Sequence, residues 1–530
     1  MPETKKLEMA AVFSVRWGVL MYCLFSVGLT RAQNLLVPLQ RYVTTEVERG
    51  VSREDSLRHT SWKPFVTGRF DLTKVPGYEK DTSKYYYKFT TLLWRDNLVK
   101  VSDKDFSFTV DPLFDFGLTM DLADTSAYAD TVRLWNNSRG LRIEASIGKV
   151  VAFQTQVIES QSYFPSYLKA FADSTGIVPG LGRWKRFRTS GFDYGVSSSV
   201  LTVVPANWLN VQLGYGKNFV GNGYRSMLLS DGAFNYPFLK ATCYFAKDRL
   251  QYTAMVAQLQ SLERLPLGEV PESLFKKKSA SFYYLSWTPV PSIEVGVFES
   301  VVWQFWDSTG VQPMDPLMLV PVLGAGSAVN GLDGANNAMA GLNARVRLHK
   351  GLSLYGQVAV DGSSAEAMAY QAGAVFLDCL IPRLDVLVEW NYAGKDMYRS
   401  AIPLQSYTQF NQPLGSVAGP CSREWVAKMN FAHKRFITQL KFNRILRGSD
   451  PTCSALAPLG SDALPNTANP ANQVIQQWEL EAGFRMNPKT NMQLMLGFTD
   501  RLQSPDLAFH HTSAVFVAFR TNLSNRYFDF

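Results

Sequence analysis

The sequence lacks the long apolar runs from which transmembrane helices are built. After residue 32, no stretch offers the roughly 18 consecutive apolar residues that a helix needs to cross a bilayer. Charge is also scarce: 18% of residues are charged, and the formal net charge is only +8 over 530 residues. The first scarcity excludes a helical membrane protein, and the second does not favour nucleic-acid binding, which needs a strongly basic surface.

Residues that commonly carry catalysis or bind metals are also few. The five histidines are scattered, and no matching cluster of acids or cysteines accompanies them. Glu294 and Glu299 are five apart on a predicted strand, so they face opposite sides and form no acid/base pair there. The sequence therefore predicts no metal, no cofactor and no enzymatic activity.

The first 32 residues are typical of a secretory signal peptide. Lys5, Lys6 and Arg16 precede the apolar stretch GVLMYCLFSVGL at residues 18–29, which is too short to span a bilayer. We predict export through the Sec pathway and cleavage after Ala32. An exported chain without transmembrane helices can be embedded in a membrane only as a closed β-barrel, because only closure pairs every backbone group.

From Trp208 onward, the sequence does show apolar and polar residues that alternate with a period of two. In WLNVQLGYG, the apolar Leu209 and Val211 alternate with Asn210 and Gln212. The stretches SIEVGVFES, LSLYGQVAVD, LDVLVEWNY and NMQLMLGFT repeat the pattern. About fourteen strands of this kind follow Trp208. Four more strands are predicted near 107–121, 139–148, 151–160 and 192–204.

The connectors between these strands alternate between tight and extended. Tight connectors such as AKDR (246–249), HKG (349–351) and AHKR (432–435) consist of turn-forming or basic residues. Longer connectors lie between them, for example 217–237 and 394–422. A bacterial outer-membrane barrel has this arrangement, with tight periplasmic turns and long extracellular loops, whereas a soluble sandwich or propeller is not expected to sort its connectors by length.

The sequence therefore predicts an all-β fold, a transmembrane antiparallel outer-membrane β-barrel of about 18 strands over residues 105–530. The location is the outer membrane of a Gram-negative cell. Residues 33–104 mix helical spacing with proline and charge, and are predicted to be a small periplasmic segment that covers or enters the lumen. The strand-like ending at Phe530 is similar to the signal that the barrel-assembly machinery reads, so that machinery is an expected partner during biogenesis.

Several blocks follow one another in an order that belongs to a known family. They are NNSRGLRIEASIGKVVAFQTQ (136–156), VPGLGRWKRF (178–187), YGKNFVGNGYRSMLLSDGAFNYPFLK (215–240), GVFESVVW (296–303), NNAMAGLNARVRLHKGLSLYGQVAVD (336–361), FNQPLGSVAGP (410–420) and the ending RTNLSNRYFDF. Together they resemble the capsule-assembly Wzi family, in particular its RemB-like gliding-motility branch. The resemblance implies a non-enzymatic barrel that binds and organises capsular polysaccharide or exopolysaccharide at the cell surface.

Two alternatives to this function stay open. The RemB-like branch implies a surface protein or adhesin that takes part in gliding motility. A barrel of about eighteen strands is also wide enough for a diffusion channel, although long loops and the N-terminal segment are expected to close the bore.

The most specific block is FVGNGYRSMLLSD, at residues 219–231, which the connector pattern assigns to an extracellular loop. It has neither the lysine of a phosphate loop nor a Gly-x-Ser-x-Gly elbow. One interpretation is that Tyr224, Arg225, Ser226 and Asp231 bind polysaccharide, with the tyrosine stacked on a sugar ring. The other is that the loop folds inward as a plug and an acid holds the arginine.

A second candidate group is RWKRFR, at residues 183–188 in another predicted extracellular loop. Arg183, Trp184 and Arg186 suit an acidic polysaccharide, and they equally suit the phosphates of outer-leaflet lipopolysaccharide. Trp303 and Trp306 can form a sugar platform, although strand-end tryptophans more often belong to the aromatic girdle at the lipid interface.

Four cysteines follow the predicted signal peptide: Cys243, Cys379, Cys421 and Cys453. Cys421 precedes and Cys453 follows the two strands of one predicted hairpin, so both lie at its outer end in an oxidising compartment. We predict a disulfide between Cys421 and Cys453 that ties two extracellular loops. The other two cysteines are predicted to be unpaired and buried within strands.

Overall fold

The computed structural model describes residues 34–54, 57–73, 87–265, 274–304, 316–330, 336–362, 364–448, 473–504 and 511–530, together with residues 75, 78, 306–307 and 310–311. The predicted signal peptide lies outside these residues. Among the described helices, none is both long enough and apolar enough to cross a membrane.

Eighteen antiparallel strands form the wall of a closed barrel. In chain order they are β1 (Phe106–Asp121), β2 (Leu134–Ile147), β3 (Val151–Tyr163), β4 (Gly191–Ala206), β5 (Leu209–Gly216), β6 (Tyr236–Phe245), β7 (Leu250–Arg264), β8 (Phe275–Val290), β9 (Ile293–Gln304), β10 (Asn337–Arg347), β11 (Leu352–Asp361), β12 (Met368–Phe376), β13 (Leu384–Ala393), β14 (Ser422–His433), β15 (Phe436–Arg447), β16 (Gln473–Asn487), β17 (Met492–Ser504) and β18 (His511–Thr521).

Each strand pairs with its neighbour in the chain, and β18 pairs with β1 to close the circle, with Arg520 opposite Asp115. Closure leaves no edge strand, which is the condition for a sheet to survive in lipid. The predicted fold class and strand number are confirmed, including the four strands upstream of Trp208.

The alternation of the sequence is the alternation between the two faces of the wall. On β5 and β6, for example, Leu213 and Leu239 face outward and are more than half exposed, while Gln212 and Lys240 face the lumen and are buried. The exposed aliphatic side chains form the apolar band that lipid requires. Many lumenal side chains are polar, while others pack with residues 227–229 in a buried apolar cluster.

The two ends of the barrel differ in their connectors. At the tight-turn end, connectors range from two residues (207–208) to the seven of 377–383, and the start of β1 and the end of β18 lie at the same end. At the long-loop end, connectors include 164–190, 217–235 and 394–421. The predicted sorting is confirmed for these loops. The loops predicted at 303–340 and 446–476 lie partly outside the described residues.

The chain also forms short helices, 3₁₀ turns and short strands in addition to the eighteen wall strands. The α-helices are α1 (Arg41–Arg53), α2 (Lys88–Trp94), α3 (Ala127–Thr131), α4 (Ser166–Thr175) and α5 (Ala325–Asn330), and the 3₁₀ turns are Thr67–Arg69, Pro316–Leu319 and Pro403–Gln405. Short strands are Trp62–Lys63, Val99–Ser102, Ile177–Val178, Gly182–Phe187, Phe219–Val220, Trp306–Asp307, Gly310–Val311, Thr408–Gln409 and Gln412–Pro413.

The described N-terminal residues, 34–54 and 57–65, contact lumenal side chains of well-separated strands, among them β3, β9 and β13. The side chain of Gln40 caps the first turn of α1, whose valines at 43 and 47 pack on Phe65. At the other end of the helix, Arg49 donates to the carboxylate of Asp385 on β13 at 2.6 Å. The helix therefore lies inside the barrel mouth at the tight-turn end, with its valines turned away from water.

The end of the chain differs from its prediction. β18 stops at Thr521, and residues 522–530 turn back into the lumen instead of continuing as a strand to Phe530. The Phe530 ring is buried against Phe171 of α4, with 4.5 Å between the ring centroids. The physical reason lies in Arg526 and Asp529: they are three residues apart, so a strand would point one of the two charges into lipid.

Candidate functional site

The block at residues 219–231 folds into the lumen, where it forms the centre of what we call the plug. The plug consists of residues 34–54, 57–66, 217–235, 394–421 and 522–530. Phe219 and Val220 pair as a short antiparallel ladder with Lys63 and Trp62. Two glycines make this fit possible: Gly221 has a φ of 146°, and a Cβ at Gly223 would collide with the carboxylate of Glu389.

Arg225 is the largest fully buried side chain of the plug, only 1% exposed. Its Nη2 donates to Glu424 Oε1 at 2.7 Å and lies 3.1 Å from Asp529 Oδ1. Burial alone would lower the pKa of the guanidinium, but the carboxylates of Asp529 and Glu424 outweigh burial and raise it well above its usual value. Arg225 is therefore permanently charged, and its ion pair with Glu424 joins the plug to β14.

The three other predicted residues are also held by internal partners. Tyr224 donates its hydroxyl to Asp529 at 2.9 Å, and Asp231 accepts from Tyr527 at 2.7 Å. The hydroxyl of Ser226 accepts from the backbone N–H groups of residues 228 and 229, both at 3.1 Å. All three are buried, so with Arg225 they have the arrangement expected of an inward-folded plug, and none is presented to a ligand outside the barrel.

The C-terminal tail supplies partners that sequence analysis did not identify. Asp529 accepts from Lys441 at 2.8 Å, and Lys441 also contacts Glu479 at 2.8 Å. Burial alone would raise the pKa of Asp529, but Arg225 and Lys441 hold it far below its usual value. The available signal was the charge pattern of NRYFDF, which does not suit a lipid-facing strand.

A separate group of side chains lies exposed at the long-loop end. The strand Gly182–Phe187 extends the sheet by pairing with the start of β4, with Trp184 opposite Tyr194. Arg183, Lys185 and Arg186 project from it into solvent. We call these residues, together with Trp184, Arg188 and the neighbouring Arg264, the basic loop surface.

Aromatic rings and one acid fix the geometry of this surface. The guanidinium of Arg186 lies 4.5 Å over the Trp184 ring and donates to Asp173 at 2.8 Å. Arg183 and Arg264 share the Phe275 ring, at 4.4 and 4.9 Å. Partial burial and, after it, the charge of Arg264 lower the pKa of Arg183. A bound anion would relieve this like-charge repulsion.

The remaining sequence candidates have mixed outcomes. Glu294 faces the lumen and accepts from Ser61, while Glu299 faces outward and accepts from Ser327, so they do lie on opposite faces. Trp303 also faces outward, but it is buried and donates to Ser281 at 3.1 Å, instead of being exposed as a girdle or platform residue would be. The side chain of Trp306 lies outside the described part of the chain.

The cysteines agree in part with expectation. Cys421 is disulfide-bonded, and Cys453 lies outside the described residues, so the predicted pairing stays a prediction. Cys243 and Cys379 are free and only half-buried, and Cys379 lies in a turn instead of a strand. Within the described ranges, no group of three or more His, Cys, Asp or Glu side chains is arranged to hold a metal ion.

No family model matches this sequence, and no curated protein matches it. Solved structures do match. Wzi of Escherichia coli is an outer-membrane protein involved in group 1 capsule assembly and a carbohydrate-binding β-barrel. The match covers 93% of this chain and 100% of Wzi, with a TM-score of 0.56 and 13% identity.

Two further barrels each cover 78% of this chain at 10% identity: OprD of Pseudomonas aeruginosa, with a TM-score of 0.43 over 94% of its chain, and OccAB2 of Acinetobacter baumannii, with 0.42 over 97%. The RemB-like branch has no support among these matches. At 13% identity the likeness to Wzi shows the fold: this chain is a closed, eighteen-stranded antiparallel barrel of the outer-membrane type.

Proposed function

We propose that this chain is a non-enzymatic outer-membrane barrel that binds an acidic surface polysaccharide through the basic loop surface. One observation carries the proposal: the guanidinium groups of Arg183 and Arg186 are exposed at the long-loop end and lie over aromatic rings. The likeness to Wzi, itself a carbohydrate-binding barrel, supports the same class of ligand.

The proposed orientation puts the long-loop end outside the cell. Tight turns toward the periplasm and long loops toward the medium are the usual arrangement in bacterial outer-membrane barrels. In this orientation the predicted periplasmic segment, which includes α1, lies at the periplasmic mouth, and Arg183, Trp184 and Arg186 face the capsule or exopolysaccharide layer. A Sec signal peptide over residues 1–32 remains part of the proposal.

The chemistry of this surface suits an acidic glycan. A guanidinium binds a carboxylate through paired N–H donors, and an indole ring offers an apolar face to a sugar ring. A polysaccharide repeats these groups along its length, so several weak contacts can act together. The phosphates of lipopolysaccharide offer the same negative charge, and they are the competing ligand that an experiment has to separate.

The plug weakens the case for a diffusion channel. The ion pairs that join Arg225 to Glu424 and Asp529 cross the lumen from one loop to β14 and to the tail. No feature of the described residues favours the motility alternative over glycan binding.

The test is a triple variant, Arg183→Ala, Lys185→Ala and Arg186→Ala, purified in detergent free of lipopolysaccharide. Each exposed ion pair contributes about 0.2–1 kcal/mol, so the variant should lose up to about 3 kcal/mol of binding, or at most about two powers of ten in Kd. Binding of an acidic and of a neutral polysaccharide is measured by biolayer interferometry at two salt concentrations.

The matched control is the double variant Lys350→Ala and Lys434→Ala, whose lysines are exposed in turns at the opposite end of the barrel. The control should bind like the wild type. Equal binding by the triple variant would refute the role of this surface. Binding of lipopolysaccharide but of no acidic polysaccharide would assign the surface to the lipid instead.

A further inference from the structure

One side of the lumen is not filled by the plug. A cavity of about 300 Å³ lies between the C-terminal tail and the lumenal faces of β14–β18 and β1. Its lining includes small residues, among them Gly117, Ala514 and Ala518. The cavity reaches Ser524, which is exposed, so it communicates with solvent. Its volume is at the lower limit of the about 300–1,000 Å³ that ligand pockets occupy.

The acids that line this cavity are all neutralised. Asp115 contacts Arg526, Glu479 contacts Lys441 at 2.8 Å, and Glu481 contacts Arg520 at 2.9 Å. These three pairs use every carboxylate of the lining and three of its five cations. The lining therefore retains positive charge.

The two remaining cations are Lys428 and Arg41. No described residue forms an ion pair with Lys428, and no described side chain accepts a hydrogen bond from its Nζ, although this lysine is more than nine-tenths buried. Arg41 differs, because the carboxylates of Asp231 and Glu48 act on its guanidinium. Arg41 donates from Nη2 to the backbone oxygen of Tyr224 at 2.7 Å, but its buried Nε has no partner. Both cations lie over the Tyr224 ring, at 5.6 and 5.9 Å.

Other polar atoms of the lining also lack partners. Gln477 Oε1 and Arg520 Nε are buried without a hydrogen bond among the described residues. Buried polar groups without a partner are costly unless water or a bound molecule satisfies them. A carboxylate would satisfy Lys428 and Arg41, and hydroxyl groups would satisfy the amide oxygen of Gln477.

We propose that this cavity is a binding site for a small hydroxylated carboxylate, of the size and chemistry of one hexuronic acid. Lys428 and Arg41 bind the carboxylate, the Tyr224 ring packs beside it, and Gln477 accepts from a ligand hydroxyl. The site lies within the barrel, apart from the basic loop surface, and does not depend on the function proposed for that surface.

The test uses the full-length mature chain in detergent, titrated calorimetrically with glucuronate and, in parallel, with glucose. Glucuronate is expected to bind one molecule per barrel, and glucose at least about tenfold more weakly, because it lacks the charge that Lys428 and Arg41 recognise. Inorganic phosphate should compete with glucuronate for the same reason.

Variants connect the binding to the cavity. Lys428→Met should weaken glucuronate binding by roughly tenfold or more, while Lys428→Arg keeps the charge and should restore it. Lys277→Met, at an exposed lysine near the long-loop end, and the triple variant of the basic loop surface should both bind glucuronate normally. Equal affinity for glucose and glucuronate, or unchanged affinity in a folded Lys428→Met barrel, would overturn the proposal.

Discussion

Replacing Asp529 with alanine should open the plug without unfolding the barrel. The Asp529 carboxylate is fully buried, 2.8 Å from Lys441, 2.9 Å from the Tyr224 hydroxyl and 3.1 Å from Arg225. Removal of the carboxylate leaves Lys441 with Glu479 and Arg225 with Glu424, so each cation keeps one partner. What is lost is the anion that joins the tail to the loop and to β15.

The magnitude follows from Coulomb's law and from desolvation. At an effective dielectric constant of about 20, a charge pair 3 Å apart gains about 5 kcal/mol, so two such pairs gain about 10 kcal/mol before desolvation is counted. Desolvation of the buried charges offsets much of this, and removal of one partner costs about 3–5 kcal/mol where the other is left unpaired. About 3–5 kcal/mol is therefore the upper limit here, because Lys441 and Arg225 each keep a second carboxylate. A cost of this size is enough to release a tail of a few residues but not to dissolve a closed wall of eighteen strands.

Two measurements check this outcome. Planar-bilayer recordings of Asp529→Ala should show steady open currents that the wild type lacks, and a protease should cleave the tail near Arg526 faster. The barrel itself should keep its heat-modifiable mobility in gel electrophoresis. Asp193→Ala, which removes an exposed carboxylate at the long-loop end, is the matched control and should leave both readouts unchanged.

The result that refutes this reasoning is specific. If Asp529→Ala kept wild-type conductance and wild-type resistance of the tail, the ion pairs would not hold the plug, and packing of Phe530 on α4 would be the alternative anchor. Large steady currents through wild-type barrels would refute the closed lumen itself and would favour the diffusion channel as the function.

The remaining predictions concern the disulfide of Cys421 and the C-terminal phenylalanines. Intact-mass measurement should show that Cys421 and Cys453 are joined in the untreated protein, with a gain of two hydrogens on reduction, and free thiols at both positions would contradict the pairing. Phe530→Ala should leave membrane insertion unchanged, because Phe530 lies in the lumen against Phe171, whereas Phe519→Ala at the outward-facing end of β18 should lower the yield of folded barrel. Equal yields of the two variants would show that the strand end carries no insertion signal.

Much of the wall could be predicted because lipid and lumen impose a local rule. Every second residue of a strand meets lipid, so Leu213 and Leu239 on the one side and Gln212 and Lys240 on the other identify their faces without any knowledge of neighbours. Connector length is equally local, since a tight turn needs turn-forming residues and a long loop does not. The number of strands and the two ends of the barrel follow from these two rules.

The plug could not be predicted in the same way, because its contacts join residues far apart in the sequence. Arg225 meets Glu424 and Asp529, and Asp231 meets Tyr527. Alternation says that Glu424 faces the lumen, but it does not say which of several lumenal cations reaches it. The tail was misassigned for a related reason, because aromatic residues close to the C-terminus suit both a final strand and a buried plug. Only the charges of Arg526 and Asp529 distinguish the two structures, since in a strand they would point to opposite faces.

The specificity of the block at residues 219–231 has a structural explanation that needs no external ligand. A loop inside a closed wall has no freedom to adjust, so Gly221 and Gly223 are required where Gln357 and Glu389 approach the backbone, and Arg225 is required where two carboxylates converge. Residues that contact a repetitive polymer at a surface are under weaker geometric constraint, since several arrangements of cations and rings serve equally. The most distinctive stretch of the sequence therefore identifies the plug inside the barrel, and the less distinctive RWKRFR is the better candidate for contact with the outside.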